Sequence, residues 1–246
     1  MMNPIIQSLF DRKSCRIFKD KEISQEDKTL ILQAAMQAPS AGNQQMYTII
    51  DVQDKKLQET LSKTCDNQSF INQAKMVLIF CADFQKWYDL FSYENCNPRK
   101  PGVGDLLLAT TDATIAAQNA VVAAESLGIG SCYIGDILEQ HDLHRKLLNL
   151  SEYVVPVCML VLGYPAEDHF KRQKPKRCKL EDIVCVNQYH RKDKQELENM
   201  FEHKAVSKTL NEWATAFCKR KYNSDFSKEM TKSVQKYIDQ FKSEAD

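Results

Sequence analysis

The sequence has no surplus of either charge. Lys and Arg together number 33, Asp and Glu also number 33, and the formal net charge of the 246-residue chain is +0. Generic nucleic-acid and polyanion binders show a global basic excess, so that class is excluded, while local basic clusters are not. Paired cysteines are missing too. The nine cysteines, at 15, 65, 81, 96, 132, 158, 178, 185 and 218, are odd in number and irregular in spacing, with no C-x-x-C pair. Without paired ligands at metal spacing, no zinc or other metal site is expected. Cys81, after Val77-Leu78-Ile79-Phe80, and Cys158, after Val154-Val155-Pro156-Val157, sit in apolar runs and read as reduced, buried thiols in a reducing compartment. The N-terminus shows no basic region followed by a long apolar stretch, so no signal peptide is expected. No run of about 18 apolar residues occurs, so no membrane span is expected. No Ser-His-Asp or Cys-His signature stands out, and the five histidines (His141, His144, His169, His190, His203) fall mostly in polar segments and are expected at the surface. The expectation is a soluble cytoplasmic protein that binds neither nucleic acid nor membrane.

What is present is a strong local cluster. Arg12-Lys13-Ser14-Cys15-Arg16 puts three fixed positive charges and a hydroxyl between two apolar flanks, Ile5 to Phe10 and Ile17-Phe18. In extended chain, alternate residues point the same way, so Arg12, Ser14 and Arg16 would share one face and Cys15 the other. Two guanidinium forks and a small hydroxyl suit a phosphate. A surface basic patch paired with nearby acids is the alternative. Cys15, between two basic residues, would be an activated thiol if exposed and an inert one if it faces the core.

Along the chain, residues 4–10 read as a short helix. Ser24 caps a second helix that ends before Pro39. The polar loop Ser40 to Gln45 then feeds a strand from Met46 to Val52. Asp54 to Lys63 is an amphipathic helix and Met76 to Ala82 a continuous apolar strand, expected to be central. Residues 84–104 read as irregular and aromatic-rich, with Trp87, Tyr88, Phe91 and Tyr93, which suits a lid or a subunit contact. Asp105 to Leu127 is the longest helix, apolar nearly all round and so expected to be buried; Gly128 and Gly130 close it. A strand from Ser131 to Ile134, a helix from Leu138 to Leu148 and a strand from Val154 to Leu162 follow. The loop 166–179 holds a second basic cluster, and from Gln188 on the chain is helical and polar. No boundary is evident before about residue 188. The expected organisation is a core over 1–187 and a helical arm over 188–246 that packs on another subunit.

Four motifs in order, Arg12-Lys13-Ser14-Cys15-Arg16-Ile17-Phe18, Ala38-Pro39-Ser40-Ala41-Gly42-Asn43-Gln44-Gln45, Ser126 to Gly135, and Leu162-Gly163-Tyr164-Pro165 with Lys174-Pro175-Lys176-Arg177 downstream, resemble the FMN-dependent nitroreductase family. The closer likeness is to its branch of oxygen-insensitive nitroreductase A and flavin reductase P. The resemblance implies an α+β fold, a mixed and mostly antiparallel sheet wrapped by helices. It also implies a homodimer with FMN bound at the subunit interface, and NADPH or NADH as electron donor. Carried over residue by residue, Arg12, Lys13, Ser14 and Arg16 would meet the phosphate and ribityl group. Pro39, Ser40, Ala41 and Asn43 would lie against the isoalloxazine from the partner subunit. Gln68 would reach the ring edge, and Ile134, Gly135 and Asp136 would present backbone groups to it. Lys174 would clasp the phosphate again, with either Lys176 or Arg177 in the role of the related Arg. For an NADPH 2′-phosphate, Lys219, Arg220 and Lys221 are candidates by position. The implied reaction is a ping-pong two-electron reduction of a small flat acceptor such as a nitroaromatic, a quinone or free flavin. The flavin carries the chemistry, so no catalytic acid, base or nucleophile is required of the chain. Two other readings are a same-fold flavoenzyme of different reaction, such as reductive dehalogenation, and a non-catalytic flavin-binding redox sensor working through Cys15.

Overall fold

The fold was derived from a computed structural model, which describes residues 2–242. The chain divides into two compact units. One runs to Arg172 and resumes at Glu229; the other is Gln173–Lys228.

The first unit opens with α1 (Pro4–Asp11), whose start is capped by the Asn3 side chain. It continues with α2 (Gln25–Met36), where the Ser24 hydroxyl accepts from Asp27 N at 3.0 Å. Then come β1 (Tyr47–Asp51), α3 (Lys55–Thr64), α4 (Ser69–Gln73) and β2 (Met76–Asp83). They are followed by α5 (Gln85–Tyr93), α6 (Val103–Ser126), β3 (Gly130–Ile134), α7 (His141–Leu147), β4 (Val154–Gly163) and α8 (Glu167–Lys171). The four strands form one sheet in the order β1-β2-β4-β3, antiparallel at each pairing. As its unbroken apolar run implies, β2 is central and buried along its whole length. Fully burying each Leu, Ile or Phe contributes about 1.5–3 kcal/mol.

Core lies on both sides of this sheet. On one face, Leu78, Phe80, Leu160 and Leu162 meet the alanine-rich side of α6 (Ala113, Ala116, Ala117, Ala120, Ala124) and Ile31 and Ala35 of α2. Small side chains let α6 approach the sheet closely. On the other face, Val77, Ile79, Cys81, Cys132, Ile134, Met159 and Val161 pack with Leu61, Ile71 and Ile137. A third cluster brings Tyr237 and Phe241 from the end of the chain against Met46, Ala82, Leu106, Tyr153 and Val155. By length and composition α6 would be able to cross a membrane, yet it holds Asp112 buried and lies against α2 and all four strands. It is not apolar-buried all round: Leu107 and Leu108 are 64% and 51% exposed.

The stretch 84–104 is not irregular throughout. Residues 85–93 form α5, and Trp87 Nε1 donates to Gln44 O at 2.9 Å. Trp87, Tyr88 and Phe91 fall on one helical face while Tyr93 points to solvent, a periodicity hidden by the polar residues between them. The short α4 arises in a polar segment with too little periodicity to be seen in the sequence.

The second unit holds α9 (Leu180–Ile183), α10 (Lys194–Phe201), α11 (Leu210–Phe217) and the start of α12 (Asp225–Asp239). Capping boxes at Asp193/Glu196 and Thr209/Glu212 begin α10 and α11. Phe201, Trp213 and Phe217 stack at 6.2 and 5.2 Å.

Candidate functional site

The stretch 12–18 is extended and runs along the ends of β3 and β4. Cys15 N donates to Ser131 O at 2.8 Å, Phe18 bridges Pro165, and Lys19 N donates to Tyr164 O at 2.7 Å. Two glycines permit this approach. A Cβ on Gly130 would stand 2.7 Å from Cys15 Cβ, and one on Gly163 2.7 Å from the Phe18 ring. The alternation read from the sequence holds. Cys15 is fully buried, while Arg12, Ser14 and Arg16 gather around Cys132 on β3. Burial pushes the Cys132 thiol up, against the opposing pull of Arg16, Ser14 and Arg12. Burial also raises the Cys15 thiol, the reverse of what an activated cysteine requires. The redox-sensor reading therefore lacks its thiolate.

Among the described residues, Arg12, Lys13 and Arg16 form no ion pair with a carboxylate. Arg12 Nη1 is buried and unpartnered. Lys13 Nζ donates to the backbone carbonyls of Phe170 and Arg172, which leaves its charge uncompensated. A guanidinium nitrogen withdrawn from water without an anion is costly, and this one lies beside a hydroxyl and a second guanidinium. The arrangement fits a phosphate.

Arg16 continues the site toward the next segment, with its guanidinium carbon 5.9 Å from the Phe70 ring centre. Two residues before Phe70 is Gln68, whose Nε2 donates to Cys65 O at 2.9 Å and to Asp136 Oδ2 at 3.0 Å. Arg12, Ser14, Arg16, Gln68 and Asp136 are thus brought together from three segments. Ile134 ends β3, and Gly135 leads into the 3-10 turn Asp136–Leu138. A Cβ on Gly135 would meet nothing within 4 Å, so one side of this edge is open. The turn is braced from behind. His144 Nδ1 lies 3.0 Å from Ile137 O and its Nε2 2.8 Å from Thr64 Oγ1. Burial holds the His144 pKa below its usual value, which keeps this ring neutral. His141, His144 and His169 are buried rather than superficial, because each lies on the inward face of a short helix that hydropathy alone does not orient.

Pro39, Ser40, Ala41 and Asn43 lie on a loop gathered by a residue the sequence reading passed over. Asp112 of α6 is buried, and its carboxylate accepts from Ala41 N at 3.0 Å and Met46 N at 3.2 Å. Gln45 N donates to Ser40 Oγ at 3.0 Å. Gly42, Asn43 and Gln45 all have positive φ, at 57°, 57° and 49°. A left-handed Gln carries a cost that persists only where neighbours fix the backbone. The signal available in the sequence was an acid inside an otherwise apolar helix. Among the described residues, no hydrogen bond joins this loop to the Arg12–Gln68–Asp136 group.

Lys174, Lys176 and Arg177 belong to the second unit. Lys174 is half-buried; Lys176 and Arg177 are exposed. Of Lys219, Arg220 and Lys221, which sit in a π-helical turn after α11, Arg220 lines a cavity of about 220 Å³ together with Lys204, Lys208, Trp213 and Phe217. Its guanidinium lies 5.5 Å from the Phe217 ring centre. Lys221 turns instead to Phe226, 5.1 Å away. Lys204 and Lys208 escaped the sequence reading because the 3-10 turn Glu202–Lys204 and the short loop before α11, which bring them beside Trp213 and Arg220, leave no periodic signal in the sequence. No cluster of metal-ligating side chains occurs among the described residues.

Comparison with known proteins matches residues 9–164 to the nitroreductase family model. The chain belongs to the nitroreductase family. It is 38% identical over 179 residues to an FMN reductase [NAD(P)H] of Bacillus subtilis, covering 70% of each chain. It is 34% identical over 205 residues to an oxygen-insensitive NADPH nitroreductase of Salmonella typhimurium, covering 83% of this chain and 82% of that one. Its fold matches the NADPH:FMN oxidoreductase from Vibrio harveyi complexed with NAD+ at a TM-score of 0.81, with 25% identity over 96% of this chain and 98% of that one. The α+β nitroreductase-like fold expected from the motifs is the fold observed.

Proposed function

We propose that this nitroreductase-family chain is an FMN-dependent NAD(P)H oxidoreductase that reduces small flat acceptors, such as nitroaromatics, quinones or free flavin, by a ping-pong cycle. The observation that carries it is the uncompensated cationic face of Arg12, Ser14 and Arg16, with Arg12 Nη1 buried and unpartnered. A doubly charged phosphate supplies what that face lacks. Bound FMN would supply two-electron transfer between nicotinamide and acceptor. The chain's residues hold and orient it: Arg12, Ser14, Arg16 and Lys13 at the phosphate and ribityl group, Gln68 and the 134–136 edge at the ring. Lys174, with Lys176 or Arg177, is proposed as a further phosphate-binding group of the chain. Backbone donors of the 134–136 edge near the ring would favour its reduced form, because they stabilise the added negative charge.

The protein is proposed to work as a homodimer in which the Pro39–Asn43 loop serves the partner's site. The lack of any hydrogen bond, among the described residues, from this loop to the Arg12–Gln68–Asp136 group supports this, as does the exposure of Ile5 and Ile6 on α1 and of Leu107 and Leu108 on the adjoining α6. Nine free cysteines fit a cytoplasmic location.

NADPH is the proposed donor. The Lys204–Lys208–Arg220 cavity, walled by Trp213 and Phe217, offers cations for a 2′-phosphate and a ring face for adenine. Arg220→Ala should raise KM for NADPH about 10-fold and leave KM for NADH within about 2-fold, as loss of a charge-assisted contact to the 2′-phosphate requires.

The test of the whole reading is the visible spectrum of the purified protein before and after anaerobic NADPH. A flavin band that bleaches is expected. Absence of any flavin band after addition of FMN would overturn the assignment.

A further inference from the structure

We propose that Asp136 is a positioning residue that fixes the side-chain amide of Gln68 with its nitrogen inward, so that Gln68 offers the flavin edge only its carbonyl oxygen. The proposal rests on the FMN reading above and goes beyond it by assigning a role to a side chain where only backbone groups were expected.

An amide nitrogen carries two protons. Both protons of Gln68 Nε2 are taken, one by Cys65 O at 2.9 Å and one by Asp136 Oδ2 at 3.0 Å. Rotating the amide by half a turn would set its oxygen against a carbonyl and a carboxylate, which is unfavourable for all three groups. Cys65 O is present whatever residue stands at 136, but one backbone acceptor satisfies only one proton. The carboxylate decides which end of the amide faces in. Among the described residues no donor reaches Gln68 Oε1, and the neighbouring Gly135 leaves open space beside the edge. Asp136 also lies close enough to Cys65 and Glu139 to raise both of their pKa values.

The chemistry then narrows the partner. A group that can only accept must meet an N–H, and an oxidised isoalloxazine ring carries one, at N3. Gln68 is matched to that hydrogen bond, and Asp136 acts through Gln68 and not on the cofactor directly.

The experiment is a double-mutant cycle read by flavin fluorescence quenching as oxidised FMN is titrated into apoprotein. Gln68→Leu, Asp136→Ala, the double variant and Asp136→Asn would be compared, with near-ultraviolet circular dichroism to verify the fold. Gln68→Leu is expected to weaken FMN binding about 5–10-fold, the range of one lost hydrogen bond. Asp136→Ala should weaken it about 3–10-fold in the parent and less than 2-fold in the Gln68→Leu background, the signature of two residues acting as one unit. Asp136→Asn, whose carbonyl can still accept from Gln68 Nε2, should restore affinity to within about 2-fold of the parent, which separates orientation from charge. The proposal fails if Asp136→Ala has no effect, if its effect is equal in both backgrounds, or if Gln68→Leu binds FMN like the parent. Failure of the parent itself to bind FMN would instead overturn the underlying assignment.

Discussion

Arg12 combines two properties that rarely coexist, a permanent charge and a nitrogen shut away from water without an acceptor. Removing the guanidinium should therefore leave the apoprotein at least as stable and harm ligand binding selectively. Arg12→Ala is expected to weaken FMN binding about 10–100-fold, the range of a lost charge-assisted contact, with no fall in apoprotein stability; equilibrium dialysis against FMN and urea unfolding of the apoprotein measure the two effects separately. A second residue stores a pH dependence. Glu139 is 5% exposed with Oε1 unpartnered. Its carboxyl is pushed up to about 7, by burial first and then by the charges of Asp136, Glu229 and Asp66. An acid whose pKa rises on folding stabilises the fold while it is protonated. That contribution is complete below the ordinary Glu range and is lost as pH climbs through about 7. Glu139→Gln, which mimics the protonated form, should gain about 1–3 kcal/mol over the parent near pH 8 and lose that advantage toward pH 5. Urea midpoints at several pH values would show it, and an advantage independent of pH would refute it.

At the scale of elements, two contacts hold the site's segments in place. The extended stretch 12–18 seats only because β3 and β4 carry glycine where it crosses. Gly130→Ala would put a Cβ 2.7 Å from Cys15 Cβ and 2.9 Å from Pro165 Cγ. The neighbours are a backbone-proximal carbon and a rigid ring, so the strain should cost about 1–3 kcal/mol and shift the cationic face. Thermal unfolding and FMN titration of Gly130→Ala are expected to worsen together. The other contact is Asp112, which holds the left-handed loop through Ala41 N and Met46 N. Asp112→Ala leaves two inward backbone donors without their acceptor, an expected loss of about 2–3 kcal/mol. Limited proteolysis should then cut within residues 40–46, where the parent resists. The sequence revealed the alternation of residues 12–18, with Cys15 opposite Arg12, Ser14 and Arg16, since alternation in an extended run is a local property. It did not reveal the braces. Gly130 read as part of a helix end, and Asp112 was given no role, because each gains its role from a partner more than 60 residues away.

For the molecule as a whole, the exposed Ile5, Ile6, Leu107 and Leu108 lie on adjoining helices, and clustered exposed apolar side chains mark an association surface. The protein should elute with light-scattering mass near twice 28.3 kDa. Leu107→Glu combined with Leu108→Glu should shift it toward the single-chain mass and release FMN with it, if the Pro39–Asn43 loop completes the partner's site. A dissociated variant that keeps its flavin would refute that sharing. The end of the chain is a second matter of scale. Residues from 192 on read in sequence as a run of amphipathic helices of one kind. In the fold they divide: the stacked Phe201, Trp213 and Phe217 form a small unit of their own, while Tyr237 and Phe241 enter the core beside β2 and β4. Amphipathicity states that a face must be covered and is silent about what covers it.

The sequence by itself determined the family through its four motifs, and the apolar core strands, the Ser24-capped helix and the Arg12–Ser14–Arg16 face, because each of these depends on residues adjacent in the chain or on a period of two or of 3.6. Tertiary structure alone decided which histidines are buried, that Cys15 is inert, that Asp112 anchors the 40–46 loop, and that Asp136 meets Gln68. Those outcomes depend on which distant groups share a low-dielectric space. There the cost of an unsatisfied donor or charge, not local pattern, selects the partner.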